Sequence, residues 1–219
     1  METTVNWAEA FKPLIEKYKG RKHPLEYKNR YQLVVMTVLS AQDSDKHINQ
    51  VAIKFFEAFP SMKELAEATP EQLLPYLDTV RNFGNKIKWL ISMARAIQDD
   101  ANIPHTMEKL TELSGIGRKS ASVIIRESGG PAEGIIVDLH VVRVAPRLGA
   151  VTTDKPDKIE KELLKLIPKD DWGEIGMAIS FLGREICRPT NPHCDECPMI
   201  GVCDYYKTTI SKKKKKPKA

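Results

Sequence analysis

Nine residues near the middle of the chain decide the fold: LSGIGRKSA, from Leu113 to Ala121. Apolar spacing predicts an amphipathic helix over about 107–113 and a second helix that runs to about Glu127. Gly115 and Gly117 allow a tight turn between them and leave backbone N–H groups uncovered at the second helix start, where they can hold a phosphate. The alternative is an ordinary corner between two helices with a capping glycine.

The two residues after the turn favour a helix-hairpin-helix motif that contacts phosphate. Arg118 and Lys119 fall in the first turn of the second helix. Cations at this position oppose the helix dipole, so a turn without an anionic ligand would more often carry acids. Taken alone, a lysine such as Lys119 is more often a phosphate-contacting or solvated residue than a catalyst.

The rest of the chain predicts helices. Apolar residues recur with helical spacing, and no segment alternates as a half-buried strand does. Ser61 with Glu64, Thr69 before Pro70, Asn85 before a periodic stretch, and Thr106 are helix start signals. The apolar run 33–39 suits a helix that is buried on all sides. We therefore expect an all-α fold.

One segment is less certain to be helical. Around 172–186 the glycines Gly173, Gly176 and Gly183 weaken the helix prediction, although small residues also permit close packing against a neighbouring helix.

Length and composition indicate a globular protein. The 219 residues, 42% of them apolar and 29% charged, suffice for one large or two small cores. The sequence has neither a bilayer-spanning apolar run nor a signal-type N-terminal stretch, so we expect a cytoplasmic protein with no membrane partner.

The net charge does not by itself identify a partner. It is +5, but six positive charges lie in the lysines of 212–218, and the rest of the chain carries −1. The low-complexity basic segment 207–219 predicts a disordered tail.

All four cysteines are clustered near the C-terminus. They have six, two and five residues between them. A chain of this size without a leader favours a metal site over disulfides. Zinc sites usually have two close pairs of ligands, whereas this segment has one, so a four-cysteine iron–sulfur cluster fits better and zinc remains the alternative. The candidate ligands are Cys187, Cys194, Cys197 and Cys203.

Three motifs in order resemble the endonuclease III family of helix-hairpin-helix DNA glycosylases. They are the hairpin 113–121, the sequence VDLHV at 137–141, and the cysteine spacing. The ordered match begins with LSAQ at Leu39 and ends at Cys203, about three quarters of the chain. The resemblance implies two helical domains that flank a DNA-binding cleft, with a C-terminal loop that binds a 4Fe-4S cluster. The implied domains are 25–135, six helices with the hairpin at about 107–127, and 1–24 plus 136–206, with the cluster loop at 187–203.

The same resemblance implies a bifunctional DNA glycosylase and abasic-site lyase of base excision repair. It would act as a monomer on double-stranded DNA with a damaged base or an abasic site, and would remove oxidised pyrimidines. Lys119 would be the nucleophile and Asp138 its carboxylate partner across the cleft. The damaged nucleotide must first be flipped out of the stack, after which a neutral amine can displace the base at C1′ and form a Schiff base. Asp138 could accept a proton or stabilise positive charge on the sugar, but an aspartate before an apolar helix is by itself more often an N-cap.

Further residues are implied as DNA contacts. The glutamine of LSAQ, Gln42, would enter the gap that the flipped nucleotide leaves; a buried helical glutamine is the alternative. Asn82 stands where the family carries an apolar wedge, and an amide stacks less well between bases. We also expect His140 to be structural or to face DNA. The full set of predicted DNA contacts is Gln42, Asn82, Lys86, Gly115, Gly117, Arg118 and His140.

Departures from the family pattern leave a second hypothesis. Leu139 replaces a frequent threonine beside Asp138, which removes a hydroxyl at that point. A divergent paralogue with weak or no catalysis, acting as an iron–sulfur DNA-binding module, is the alternative. Excision of adenine is disfavoured, because that branch has a glutamate where Met36 stands and lacks the hairpin lysine.

Overall fold

A computed structural model describes residues 5–214, with side chains described as far as Lys212. Within this range the chain forms helices and no β-strand, which confirms the predicted all-α fold. Short 3-10 turns lie at Asp100–Asn102, Lys169–Asp171 and Cys194–Glu196, and a π-helical turn spans Tyr206–Ile210. The α-helices are α1 (Trp7–Ala10), α2 (Lys12–Tyr18), α3 (Arg30–Leu39), α4 (Asp45–Ala58), α5 (Met62–Glu67), α6 (Pro70–Leu77), α7 (Phe83–Ile97), α8 (Met107–Thr111), α9 (Arg118–Glu127), α10 (Leu139–Leu148), α11 (Pro156–Leu166), α12 (Trp172–Glu185) and α13 (Ser211–Lys214).

The chain divides into two compact units. One comprises Lys22–Pro131 and contains α3 to α9. The other combines the N-terminal segment up to Arg21 with the chain from Ala132 onward, and contains α1, α2 and α10 to α13.

Helix α3 lies in the core of the unit 22–131. Every residue from Leu33 to Leu39 is buried, as the unbroken apolar run predicts, and α3 packs against α4, α7 and α9. Three of the four predicted helix start signals are confirmed, whereas Asn85 lies inside α7, which begins at Phe83 after the N-cap residue Asn82. Ser61 and Thr106 cap α5 and α8 by accepting hydrogen bonds from backbone N–H groups, and α6 begins at Pro70 after Thr69.

Helix α12 is the centre of the other unit, where it packs against α10 and α2. At two of its glycines, Gly176 and Gly183, neighbouring atoms lie too close for a side chain. A Cβ on Gly176 would lie 2.4 Å from the carbonyl oxygen of Ile136, and a Cβ on Gly183 would lie 2.8 Å from the Cβ of His140 in α10. Two of the three glycines that weaken the helix prediction are therefore required by the packing of α12, whereas a Cβ on Gly173 would make only an ordinary contact with Ala132 at 3.6 Å.

The C-terminal segment differs from its prediction. Residues 206–214 are helical, where composition predicts disorder from 207 onward. The helix continues directly from the cysteine segment, because Lys207 N donates to Cys203 O at 3.1 Å and Thr208 Oγ1 donates to Asp204 O at 2.7 Å. The remainder of the predicted tail, 215–219, lies outside the described residues. Among the helices of the described range, none combines the length and apolar character needed to cross a bilayer.

Candidate functional site

The hairpin between α8 and α9 depends on one glycine for its turn and on another for its open helix start. Gly115 has φ +83°, and a Cβ there would lie 3.1 Å from both Trp89 Cβ and Val38 Cγ1. Gly117 is the N-cap of α9, and a Cβ there would meet no atom within 4 Å. Because Gly117 has no side chain, the N-cap residue supplies no hydrogen bond to the first backbone N–H groups of α9.

Lys119 is the second residue of α9 and is exposed. Arg118, the first residue, is exposed as well. The hairpin thus presents a primary amine, a guanidinium and the positive end of a helix on one turn, an arrangement that attracts a phosphate backbone.

Asp138 is the N-cap of α10, as the local sequence suggests. Its Oδ1 accepts hydrogen bonds from the N–H groups of His140 and Val141, both at 2.9 Å. Its Oδ2 accepts a 2.6 Å hydrogen bond from the hydroxyl of Ser180, and Arg184 Nη2 lies 3.7 Å away. The carboxylate is only 9% exposed, so three hydrogen bonds and the ion pair with Arg184 hold it in one orientation at the edge of the unit's interior.

The two residues on α12 that hold Asp138 carry no signal in the local sequence. Ser180 is completely buried and lies 42 positions from Asp138. Arg184 attracts notice in the sequence only because it precedes Cys187. Both residues contact the Asp138 carboxylate because α12 packs against α10.

His140 is half-buried, and its imidazole ring forms a hydrogen bond with Arg143 of the same helix. Its Nδ1 lies 3.2 Å from Arg143 Nη2. The Arg143 guanidinium also donates to the carbonyl oxygens of Gly183 and Cys187. His140 is thereby part of the packing between α10 and α12, while neighbouring Leu139 is 70% exposed.

Gln42 and Asn82 are two of the four exposed amide residues that have left-handed backbone within residues 5–214, the others being Gln98 and Asn191. Gln42 has φ +60° and Asn82 has φ +59°, a region that residues other than glycine rarely adopt. Gln42 is therefore neither buried nor helical, and Asn82 is the N-cap residue of α7. Both lie in the unit 22–131.

Lys86 does not fit the prediction that it contacts DNA. It is 1% exposed, and its Nζ donates 2.7 Å hydrogen bonds to the carbonyl oxygens of Leu39 and Ala41. Burial lowers the pKa of this amine, and the negative charge of Asp43 acts in the opposite direction. The prediction is wrong because helical periodicity does not reveal that α7 turns this lysine toward the end of α3.

The four cysteines line one cavity. Its remaining wall is mostly apolar and includes Leu148, Leu182 and Ile186. Burial raises the pKa of Cys197 to about 11 and also raises the pKa of Cys203. Within residues 5–214, no three ligand-type side chains converge closely enough to hold a single metal ion.

Donors already point at two of the sulfur atoms. Arg147 Nη1 lies 3.7 Å from Cys187 Sγ, and the backbone N–H of Tyr206 lies 3.5 Å from Cys203 Sγ. Thiolates that ligate an iron–sulfur cluster carry negative charge and accept such hydrogen bonds. Four thiols in one apolar cavity, with N–H donors at the sulfurs, therefore fit a cluster.

Known proteins match most of this chain. The model of the family described as "HhH-GPD superfamily base excision DNA repair protein" matches residues 35–169. Endonuclease III of Synechocystis sp. is 35% identical over 188 residues, which cover 85% of this chain and 86% of that protein. The chain belongs to the endonuclease III family. Endonuclease III of Thermotoga maritima is 33% identical over 179 residues, 81% of this chain and 84% of that protein.

A solved endonuclease III structure agrees over nearly the whole length. A non-covalent endonuclease III–DNA complex superposes with a TM-score of 0.82 at 29% identity, covering 93% of this chain and 96% of that one. A trapped covalent endonuclease III–DNA intermediate gives the same TM-score and identity, with 92% and 96% covered. The resemblance drawn from the three motifs is thus confirmed, and the chain is an endonuclease III-like protein of base excision DNA repair.

Proposed function

We propose that the chain is a bifunctional DNA glycosylase and abasic-site lyase that removes oxidised pyrimidines from double-stranded DNA. Lys119 is the nucleophile and Asp138 the carboxylate that assists it. The observation that carries the proposal is the exposed primary amine of Lys119 on the first turn of α9, directly after the glycine hairpin. The DNA-bound structures of endonuclease III, one of them a covalent intermediate, support it by similarity.

The chemistry requires a flipped nucleotide and a neutral amine. The Lys119 nitrogen attacks C1′, the bond between C1′ and the base breaks, and the base leaves with the electron pair and takes up a proton. The nitrogen then loses one proton, the C1′–O4′ bond breaks, and O4′ takes up a proton as the nitrogen forms a protonated imine with C1′. Loss of a C2′ proton expels the 3′ phosphate, which cuts the strand, and water later releases Lys119.

The geometry of Asp138 favours one of its two possible roles. Oδ1 accepts hydrogen bonds from two N–H groups, Oδ2 accepts one from the Ser180 hydroxyl, and the Arg184 guanidinium forms an ion pair with Oδ2 at 3.7 Å. A carboxylate so occupied is poorly suited to take a further proton. We therefore assign Asp138 the electrostatic stabilisation of positive charge on the sugar.

We further propose that Cys187, Cys194, Cys197 and Cys203 hold a 4Fe-4S cluster. When bound, the cluster would cross-link the loop 187–203 to the end of α12, which ends two residues before Cys187. Purified protein should be brown and contain iron and acid-labile sulfide in equal amounts. Zinc in place of iron, with no visible colour, would contradict this assignment.

One observation favours the alternative of a weakly catalytic DNA-binding module. Leu139, which stands beside Asp138, leaves 70% of its side chain exposed where a hydroxyl is frequent in the family.

Borohydride trapping separates the two functions. The reductant converts an imine with abasic DNA into a stable adduct, so wild-type protein should be trapped and Lys119→Ala should not. Lys109→Ala, which removes an exposed lysine of α8 in the same hairpin, is the matched control and should trap like the wild type. Protein that binds abasic DNA but gives no adduct would favour the non-catalytic module.

A further inference from the structure

Two loops in the unit 22–131 are tied to each other at several points. The Gln42 loop (residues 40–44) follows α3, and the Asn82 loop (residues 78–82) precedes α7. Each carries one exposed amide side chain on left-handed backbone, Gln42 in the first and Asn82 in the second. Strained backbone of this kind persists only where surrounding contacts hold it.

The first tie runs from α7 to the Gln42 loop. Lys86 is buried, and its ammonium donates to the carbonyl oxygens of Leu39 and Ala41, both at 2.7 Å. The Leu39 carbonyl is the last of α3, where carbonyl groups lack partners within the helix, and the Ala41 carbonyl belongs to the Gln42 loop. A cation at a helix C-terminus is favourable, so Lys86 satisfies the end of α3 and fixes the residue that precedes Gln42.

The second tie runs in the opposite direction. Asp43 is 11% exposed, and its Oδ2 accepts a 2.9 Å hydrogen bond from the backbone N–H of Arg81. Its Oδ1 accepts hydrogen bonds from Ser44 N at 2.8 Å and from His47 Nδ1 at 2.9 Å. Burial disfavours ionisation of Asp43, but the hydrogen bonds from Arg81 N and His47 outweigh it and lower the pKa of the carboxyl.

The ties fall on the immediate neighbours of the two exposed amides. Gln42 stands between Ala41, held by Lys86, and Asp43, which holds Arg81. Arg81 in turn precedes Asn82. Asn85 Nδ2 also donates to Asn82 Oδ1 at 3.0 Å, which orients that amide.

We propose that Lys86 and Asp43 are positioning residues that join the two loops into one rigid element, so that Gln42 and Asn82 enter the duplex together at the flipped nucleotide. This inference rests on the proposed function, because it assigns the pair to the gap that nucleotide flipping leaves. Neither positioning residue touches DNA. Lys86 acts through backbone carbonyls of the Gln42 loop, and Asp43 acts through the backbone of the Asn82 loop.

Insertion can be measured without catalysis. The probe is a duplex with a tetrahydrofuran abasic analogue opposite 2-aminopurine, whose fluorescence rises when an inserted side chain unstacks it. We expect saturating wild-type protein to raise the fluorescence and Lys86→Met to lose most of that rise. Lys88→Met removes an exposed lysine from the same helix and should match the wild type.

Asp43 supplies a second variant that leaves the buried end of α3 intact. Asp43→Ala should also lose most of the fluorescence rise, whereas Asp43→Asn should recover much of it because its amide oxygen can still accept from Arg81 N. A merely structural role would not give this rescue. A full rise with both Lys86→Met and Asp43→Ala, or no rise with saturating wild-type protein, would overturn the inference.

Rates of base release and strand scission distinguish failure of the inference from failure of the proposed function. In single-turnover experiments on paired duplex, Lys86→Met should release the base about 10- to 100-fold more slowly than the wild type, because a small misplacement of reacting groups lowers a rate by this much. Scission of a single-stranded abasic oligonucleotide, which needs no gap to be filled, should remain close to the wild-type rate. Equal losses on both substrates would contradict positioning. A wild type that gives the fluorescence rise but no scission would refute the proposed function and leave the inference standing.

Discussion

The hydrogen bond from Ser180 to Asp138 provides a quantitative test of how the candidate catalytic carboxylate is held. The hydroxyl donates to Oδ2 at 2.6 Å, and Ser180 is completely buried, so no water can replace it in a Ser180→Ala variant without rearrangement. A hydrogen bond to a charged group contributes about 1.5–3 kcal/mol to stability. For a chain of this size, each kcal/mol lowers the unfolding midpoint by roughly 2–4 °C. We therefore expect the midpoint of Ser180→Ala to fall by about 3–12 °C.

Thermal unfolding followed by circular dichroism measures this change. Ser92→Ala is the control, since its exposed hydroxyl pairs with the neutral hydroxyl of Ser114 at 3.0 Å and its loss should alter stability by less than about 0.5 kcal/mol. Single-turnover base release should also slow in Ser180→Ala, because Oδ2 is no longer fixed. A variant with wild-type midpoint and wild-type base release would refute the claim that Ser180 holds Asp138.

Three further predictions follow from individual contacts. Asp138→Asn keeps an oxygen that can accept from the N–H groups of α10 but removes the charged acceptor of Ser180 and the ion pair with Arg184, so its unfolding midpoint should fall about as far as that of Ser180→Ala while base release is lost. Gly115→Ala forces a Cβ into Trp89 at positive φ and should cost about 1–3 kcal/mol in denaturant unfolding, whereas Gly117→Ala has open space and should mainly weaken DNA binding. The pKa of Asp43 is lower in the folded protein than its ordinary value of 3.8, so the ionised carboxylate stabilises the fold at pH values above 3.8. This stabilisation is lost as the pH falls through the folded-state pKa. In an acid titration of unfolding, Asp43→Asn should therefore lose less stability with falling pH than the wild type.

Local patterns sufficed for much of the fold. The buried apolar run of α3, the start of α5 after Ser61 and the start of α8 after Thr106 depend on residues within one or two helical turns. The same holds for the hairpin glycines and for Asp138 as an N-cap. Such features are predictable because the interacting groups are neighbours in the sequence.

Contacts between distant segments were not predictable in this way. Lys86 has the position of an exposed cation in the sequence, yet the packing of α7 against α3 buries it at the carbonyls of Leu39 and Ala41. Ser180 meets Asp138 only because α12 packs against α10. The periodicity of one segment does not identify the residues of a distant segment that will contact it.

The C-terminal segment shows a limit of composition as a guide. The run of lysines predicts disorder, but residues 206–214 continue as helix from the cysteine segment through bonds to Cys203 and Asp204. Amino-acid composition does not predict such a helix, because the preceding ordered residues have already nucleated it and only propagation is needed.

The central claim is that the amine of Lys119 forms the covalent bond to the sugar. The most direct test is to reduce the complex of wild-type protein with abasic duplex by borohydride, digest it, and locate the adduct by mass spectrometry. We expect one DNA-modified peptide, with the sugar remnant on Lys119. An adduct on another lysine, or no adduct from protein that is folded and bound to the duplex, would contradict it.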